Sequence, residues 1–265
     1  MVNALKVHGG DYEIAEFACR AIFNLSAEPS NVTELGGQGC ALVVAVLHNH
    51  LTRASVITQA LLAMHGLAVK LKLNKLHKSN TKKLVKEGAI EMLVAAMQKF
   101  LNEEIVQRAA AMAISSLSLV NENRDKLGEC GACDLIIKSL KTHVAVEEAA
   151  TKLTGAIEAL ANSSPTNVAK LTALDAMSLL LNVFQRHEKS ASVVAEAFRA
   201  LITLSSVGAN QQRAQNENAF KLYIKALKTH EKNPLVCRWG CSMIYAAATE
   251  TGEYTFDCVY FLASR

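Results

Sequence analysis

Asn80–Phe100 reads NTKKLVKEGAIEMLVAAMQKF, and Asn123–His143 reads NRDKLGECGACDLIIKSLKTH. Each stretch opens on asparagine, reaches a glycine eight positions later (Gly88, Gly131), and continues with a small residue and apolar residues at helical spacing. Three more stretches share the pattern: NVTELGGQGCALVVAVLHNH from Asn31, NVAKLTALDAMSLLLNVFQRH from Asn167, and NQQRAQNENAFKLYIKALKTH from Asn210. Their eighth positions hold Gly39, Asp175 and Asn218, all residues that tolerate a left-handed backbone. The asparagines are 49, 43, 44 and 43 residues apart. A recurring period of this length means a solenoid, in which each unit buries its apolar face against its neighbours.

Between these stretches lie Ala- and Leu-rich segments such as EEIVQRAAAMAISSLSL (Glu103–Leu119) and ASVVAEAFRALITLSS (Ala191–Ser206), again with helical periodicity. The unit therefore predicts a short helix, a turn, a second helix, another turn and a third helix. The leading asparagine reads as an N-cap, accepting from free backbone N–H groups. The Gly/Asp/Asn site reads as the reversal, because a left-handed residue ends a helix with little strain. Pro29 and Pro165 each lie two residues before a leading asparagine, and Pro234 falls where the last third helix should start.

His50, His143, His187 and His230 close the second helix, with His8 in the first copy and Phe100 as the exception. Packed helices lie about 8–10 Å apart, so equivalent histidines cannot share an ion with bonds near 2 Å. The column is expected to serve structure, bonding the last carbonyls of each helix.

An Asn-led short helix, a Gly-Ala turn, an apolar second helix and an Ala-rich third helix resemble the armadillo repeat. The resemblance runs through essentially the whole chain. It implies an all-α, right-handed superhelical solenoid of about six three-helix repeats whose third helices line a concave groove that binds extended peptides. The copies are 1–30 (partial), 31–79 with an insertion at 69–79, 80–122, 123–166, 167–209, and 210–265 with a C-terminal cap. The first copy lacks an opening helix, which is read as a fragment boundary or a degenerate cap. At about 10 Å per repeat the groove would extend roughly 60 Å and hold an extended segment of some 15–18 residues.

Bulk properties agree with this reading. The 265 residues exceed one ordinary core but suit one solenoid; 51% are apolar, only 5% aromatic, and three are proline. A net charge of +4 does not argue for nucleic acid. Met1–Asp11 lacks a signal-peptide pattern, and the apolar run Cys40–Leu47 is shorter than the roughly 18–20 residues that span a bilayer. Seven cysteines, an odd number at irregular spacing, fit reduced thiols. A cytoplasmic location is expected, with nuclear or peripheral-membrane placement as alternatives.

In importin-α-like members, the resemblance implies a ladder of Trp and Asn four residues apart along the groove. Here the Trp-type positions hold Arg20, Leu62, Met112, Gly155, Arg199 and Ser242, and the Asn-type positions hold Asn24, Gly66, Ser116, Ala159, Thr203 and Ala246. Only Asn24 conforms, so recognition of a basic nuclear-localisation peptide is not expected. The candidate groove residues are Arg20, Asn24, Met112, Ser116, Arg199, Thr203 and Trp239. Arginine offers a planar fork to carboxylates, and tryptophan is a common interface anchor. Charge reversal at Arg20 and Arg199 is expected to weaken partner binding without changing the melt. The bland alternative is two solvated arginines and a tryptophan filling a terminal core.

A second candidate is the long connection HGLAVKLKLNKLHKSN (65–80). From Lys70 to Lys86 there are seven lysines (Lys70, Lys72, Lys75, Lys78, Lys82, Lys83, Lys86) and no acid, a docking site for an acidic partner or an anionic membrane, or simply a solvated face. Cys130-Gly-Ala-Cys133 lacks the second ligand pair of a zinc site, although Cys133 at a helix start invites a lowered thiol pKa. No nucleophile elbow, P-loop, dinucleotide fingerprint or HExxH motif occurs. The expectation is a non-catalytic scaffold or adaptor without cofactor or metal. Its partners are proteins offering acidic or extended segments, with no nucleic acid and with self-association through an exposed terminal repeat.

Overall fold

The computed structural model describes residues 1–69, 77–205, 210 and 217–251. Among these residues it is all helix, with the first copies contributing α1 (Val2–His8), α2 (Tyr12–Leu25), α3 (Pro29–Asn49) and α4 (Ala54–Ala68). Three triplets follow: α5 (His77–Lys86), α6 (Ala89–Lys99) and α7 (Glu104–Leu117); α8 (Asn121–Glu129), α9 (Ala132–His143) and α10 (Glu147–Ala161); α11 (Pro165–Ala173), α12 (Ala176–Arg186) and α13 (Ala191–Leu204). The last described pair is α14 (Glu217–Thr229) and α15 (Pro234–Thr251).

The third helices α2, α4, α7, α10, α13 and α15 pack in that order, each on the next. Short helices meet beside them (α3 on α5, α8 on α11), as do second helices (α3 on α6, α6 on α9). A single apolar spine from Leu5 to Ile244 runs through the stack. Most of it is Ala, Val, Leu and Ile, whose small or branched side chains allow close helix approach. Among the described residues the buried aromatics lie toward the C-terminal end, where Phe184 meets Phe198 edge-on at 4.9 Å and both approach Tyr223. The chain is an all-α solenoid.

The turns hold in the central copies. Gly88 and Gly131 stand at φ 91° and Asp175 at φ 58°, each immediately before a second helix. Gly39 does not turn: α3 runs unbroken through it, and the glycine is buried against Val2. Glycine permits a reversal but does not require one, and here the unbroken i→i−4 bonds prevail over leaving two more helix ends to be satisfied. Asn218 likewise lies inside α14 rather than at a turn before it.

The asparagines do something other than N-capping. Asn31, Asn123 and Asn167 sit two residues inside their helices, and the caps are Glu28, Val120 and Ser164. Their amides donate instead to the last carbonyls of the preceding third helix: Asn31 to Leu25 (3.1 Å), Asn80 to Leu67 (3.2 Å), Asn123 to Leu117 (3.1 Å), Asn167 to Leu160 (3.0 Å) and Asn210 to Leu204 (3.0 Å). Three also reach the previous short helix, Asn80 at Val32 O (3.2 Å), Asn167 at Arg124 O (2.8 Å) and Asn210 at Thr172 Oγ1 (2.6 Å). What faces each amide decides this second bond. Gly36 and Gly128 leave room for it, since a Cβ there would lie 2.2 Å from Asn80 Oδ1 and 1.8 Å from Asn167 Oδ1. Thr172 offers its hydroxyl, whereas Val85, at the matching place before Asn123, offers neither space nor an acceptor.

The histidine column is structural, though its acceptors lie in the preceding copy. His50, His143, His187 and His230 place Nε2 2.6–2.8 Å from the carbonyls of Gly9, Leu101, Val144 and Glu188. Each acceptor follows the column residue of the copy before it, so a single register bond recurs along the stack.

Candidate functional site

Because the third helices stack in order, one side of each faces a common trough. A cavity of about 360 Å³ lies along α7, α10 and α13, with His65 of α4 among its lining residues. Of the Trp-type residues, Met112, Gly155 and Arg199 line it. Gly155 lets the Glu196 carboxylate pack closely over it; a Cβ there would stand 3.2 Å from Glu196 Oε2.

Arg199 is not a free fork. Its Nη2 donates to Glu158 Oε2 at 2.8 Å, and Nη1 donates to Glu196 at 2.9 and 3.2 Å. Glu158 is 8% exposed, and burial raises its carboxyl above the ordinary range while Arg199 opposes the rise. Asn162 adds a donor to Glu158 Oε1 at 3.3 Å. Removing Arg199 would leave a buried carboxylate without its main partner.

Ser116, a candidate contact, is buried. Its hydroxyl lies 2.5 Å from His65 Nδ1 and donates to Met112 O at 3.1 Å. Burial lowers the His65 pKa, so the ring is neutral at pH 7. Thr203 bonds its own helix at Arg199 O (3.0 Å). Trp239 is half-buried, with the guanidinium of Arg199 5.7 Å and that of Arg238 5.0 Å from its ring centre. It therefore extends the Arg199 cluster toward α15.

Arg20 and Asn24 are exposed on α2, at the opposite end of the trough. Arg20 pairs with Glu16 at 3.2 Å and lies 5.7 Å from the Phe17 ring. The candidates thus divide into a central group and a distant pair.

Several cavity residues were not anticipated: His65, Ser118, Arg124, Lys152, Glu158 and Glu196. A signal existed for two. His65 and Glu158 each stand three residues past a Trp-type position (Leu62, Gly155), one helical turn along the same face.

Of the lysine segment, Lys70, Lys72 and Lys75 lie outside the described residues. Lys78, Lys82 and Lys86 are exposed and recur every four residues on α5, so they share a face. Lys83 is engaged at Gly36 O (3.2 Å), as Lys170 is at Gly128 O (2.8 Å); both tie consecutive short helices. Cys133 has no activated thiol, since burial pushes it up to about 11. Among the described residues no group of three or more His, Cys, Asp or Glu could hold a metal.

No protein-family model matches the chain, and no curated protein matches it. Solved structures do. A designed armadillo repeat protein is 23% identical with TM-score 0.75, covering 93% of this chain and 98% of its own. A second, solved in complex with the peptide (KR)4, is 24% identical with TM-score 0.73, covering 93% and 97%. An engineered protein from a structural genomics consortium is 19% identical with TM-score 0.80, covering 99% of this chain and 62% of its own. At these identities the likeness concerns architecture alone: the chain has the armadillo-repeat fold.

Proposed function

We propose that this chain is a non-catalytic interaction scaffold that binds an extended or helical protein segment along the trough formed by its third helices. The observation that carries the reading is the central cavity, bordered by apolar Met112 and Leu119 beside charged groups. That mixture of apolar wall and polar rim suits peptide side chains. The designed relative holding (KR)4 is an instance of this fold with a bound peptide. In this chain the contacts would come from Met112, Arg199 and Trp239 centrally, and from Arg20 and Asn24 at the far end. Ser116 and Thr203 would act from behind, through the bonds that fix His65 and Arg199. The reading places the protein in the cytoplasm, as an adaptor.

Selection from a displayed library of random peptides, each about 16 residues to match the groove length, tests the proposal. Peptides that bind the native protein should lose binding to an Ala159→Trp variant, which fills the cavity from α10, while the helical melt stays unchanged. Undiminished binding would overturn it.

A second reading rests on Lys78, Lys82 and Lys86, whose shared exposed face on α5 suits an anionic membrane surface. It predicts salt-sensitive binding to phosphatidylserine vesicles that is lost when the three are changed to Gln.

A further inference from the structure

Gly39 stands where the central copies turn, inside a helix that gives it no reason to be glycine. It is the eighth residue after Asn31, as Gly88, Gly131 and Asp175 are after Asn80, Asn123 and Asn167. Those three hold φ at 91°, 91° and 58°, whereas Gly39 continues α3. A Cβ there would meet only Val2 Cγ2, at an ordinary 4.0 Å, so close packing does not exclude a side chain. Gly36 differs, because the amide of Asn80 occupies the place its Cβ would take. Glycine in a helix interior weakens the helix by a factor of roughly two to five against alanine. The continuous helix has no use for that freedom; a left-handed turn does.

Both halves of α3 are anchored as their turned counterparts are. In the short half, Val32 O accepts from Asn80 and Gly36 O from Lys83, as Arg124 O and Gly128 O of α8 accept from Asn167 and Lys170. In the second half, His50 reaches Gly9 O as His143 reaches Leu101 O and His187 reaches Val144 O. The link between the halves is what differs. Across Leu174 and Asp175, α11 and α12 meet with a bend of 74°. In the turned copies the second helix bonds back to the turn from its fourth residue: Met92 N to Gly88 O, Leu135 N to Gly131 O and Leu179 N to Asp175 O. The N–H groups ahead of that residue have no acceptor within the helix. Room for the same turn exists in α3, since Gly37 and Gln38 are exposed and line a cavity of about 540 Å³ with Leu25, Asn31 and Leu35.

We propose that α3 is a two-state element of the folded protein, continuous in this structure and turned at Gly39 in a second state that repeats the link of the central copies. Turning gives up the helical bonds of Cys40, Ala41 and Leu42 to the carbonyls of Gly36, Gly37 and Gln38, and keeps that of Val43 to Gly39. The anchors on both sides persist, so the stack stays intact. Gly37 and Gln38 shift relative to Cys40, and the cavity they line changes shape with the state.

Amide hydrogen exchange of the 15N-labelled protein, read by NMR, tests the second state. Cys40, Ala41 and Leu42 should exchange at least about tenfold faster than Val44–Leu47 of the same helix. Gly39→Ala favours the helix and penalises a left-handed φ, so it should slow the three amides about tenfold. Gly37→Ala is the control: residue 37 matches Lys86, Glu129 and Ala173, which are helical in the turned copies, so it should raise the melt and leave the exchange ratio alone. Proline gives an independent readout at Ala41 and Ala45, both exposed on α3. Proline is tolerated in the first turn of a helix but not in its interior, so Ala41→Pro should lower the melting temperature less than about half as far as Ala45→Pro. Equal losses from the two prolines would overturn the second state. So would exchange at Cys40–Leu42 that matches Val44–Leu47, or that is unaffected by Gly39→Ala.

Discussion

Replacing Gly128 by alanine should destabilise the protein, although the same change normally strengthens a helix. Gly128 is buried in α8, and a Cβ there would stand 1.8 Å from Asn167 Oδ1 and 2.7 Å from its Cγ. Asn167 is fully buried and cannot swing into solvent. The clash would displace its amide from Arg124 O and Leu160 O, two bonds worth about 1 kcal/mol each. Overpacking adds roughly 1–3 kcal/mol, and better helix propensity returns about 1. The net expectation is a loss of about 2–4 kcal/mol, or roughly 2–4 °C of melting temperature for each kcal/mol in a chain of this size. Gly37→Ala is the internal control: Gly37 is exposed with nothing within 4 Å of its missing Cβ, so it should gain a few tenths to about 1 kcal/mol. Thermal and urea melts of both variants would show opposite signs. In an Asn167→Ala background Gly128→Ala should cost little, a coupling of about 2–4 kcal/mol. If Gly128→Ala is as well tolerated as Gly37→Ala, the asparagine clasp is not what joins these repeats.

Other outcomes follow from the same contacts. Arg199→Glu should lower the melting temperature because it sets three carboxylates together, whereas Arg20→Glu, at an exposed i,i+4 pair, should scarcely move it. That corrects the expectation that both reversals leave the melt alone. The pKa of His65 is lower in the folded state than in the unfolded chain, so the unfolded chain binds the extra proton. Its contribution is complete above the unfolded value of 6.5 and is lost as pH falls through the folded value; a His65→Gln variant should show a flatter stability profile across that acid range. His187→Ala removes the bond to Val144 O and should cost about 1 kcal/mol in a urea melt.

The fold was legible because the repeat writes its turn chemistry into the chain. Gly88, Gly131 and Asp175 adopt the left-handed backbone that their residue types suggest. Gly39 misled because a glycine's freedom does not choose between turning and continuing. The asparagines misled for a related reason: a residue that caps helices by accepting can, when buried, serve as a donor to another helix's carbonyls. Whether it also reaches the previous short helix is decided by Gly36, Gly128 and Thr172, one copy away, and a reading of one repeat at a time does not reach them. In the trough, the register of Met112, Gly155 and Arg199 was legible from the period. The ion pairing was not, because Glu158 and Arg199 come from different helices and their meeting depends on how α10 and α13 stack.

The central claim is that the third helices form the binding face. Hydrogen–deuterium exchange of the protein alone and with a library-selected peptide tests it most directly. Protection should concentrate on α7, α10 and α13, around Met112, Gly155 and Arg199, and leave the short helices α5 and α11 unchanged. Protection confined to those short helices, with the third helices unaffected, would contradict the account.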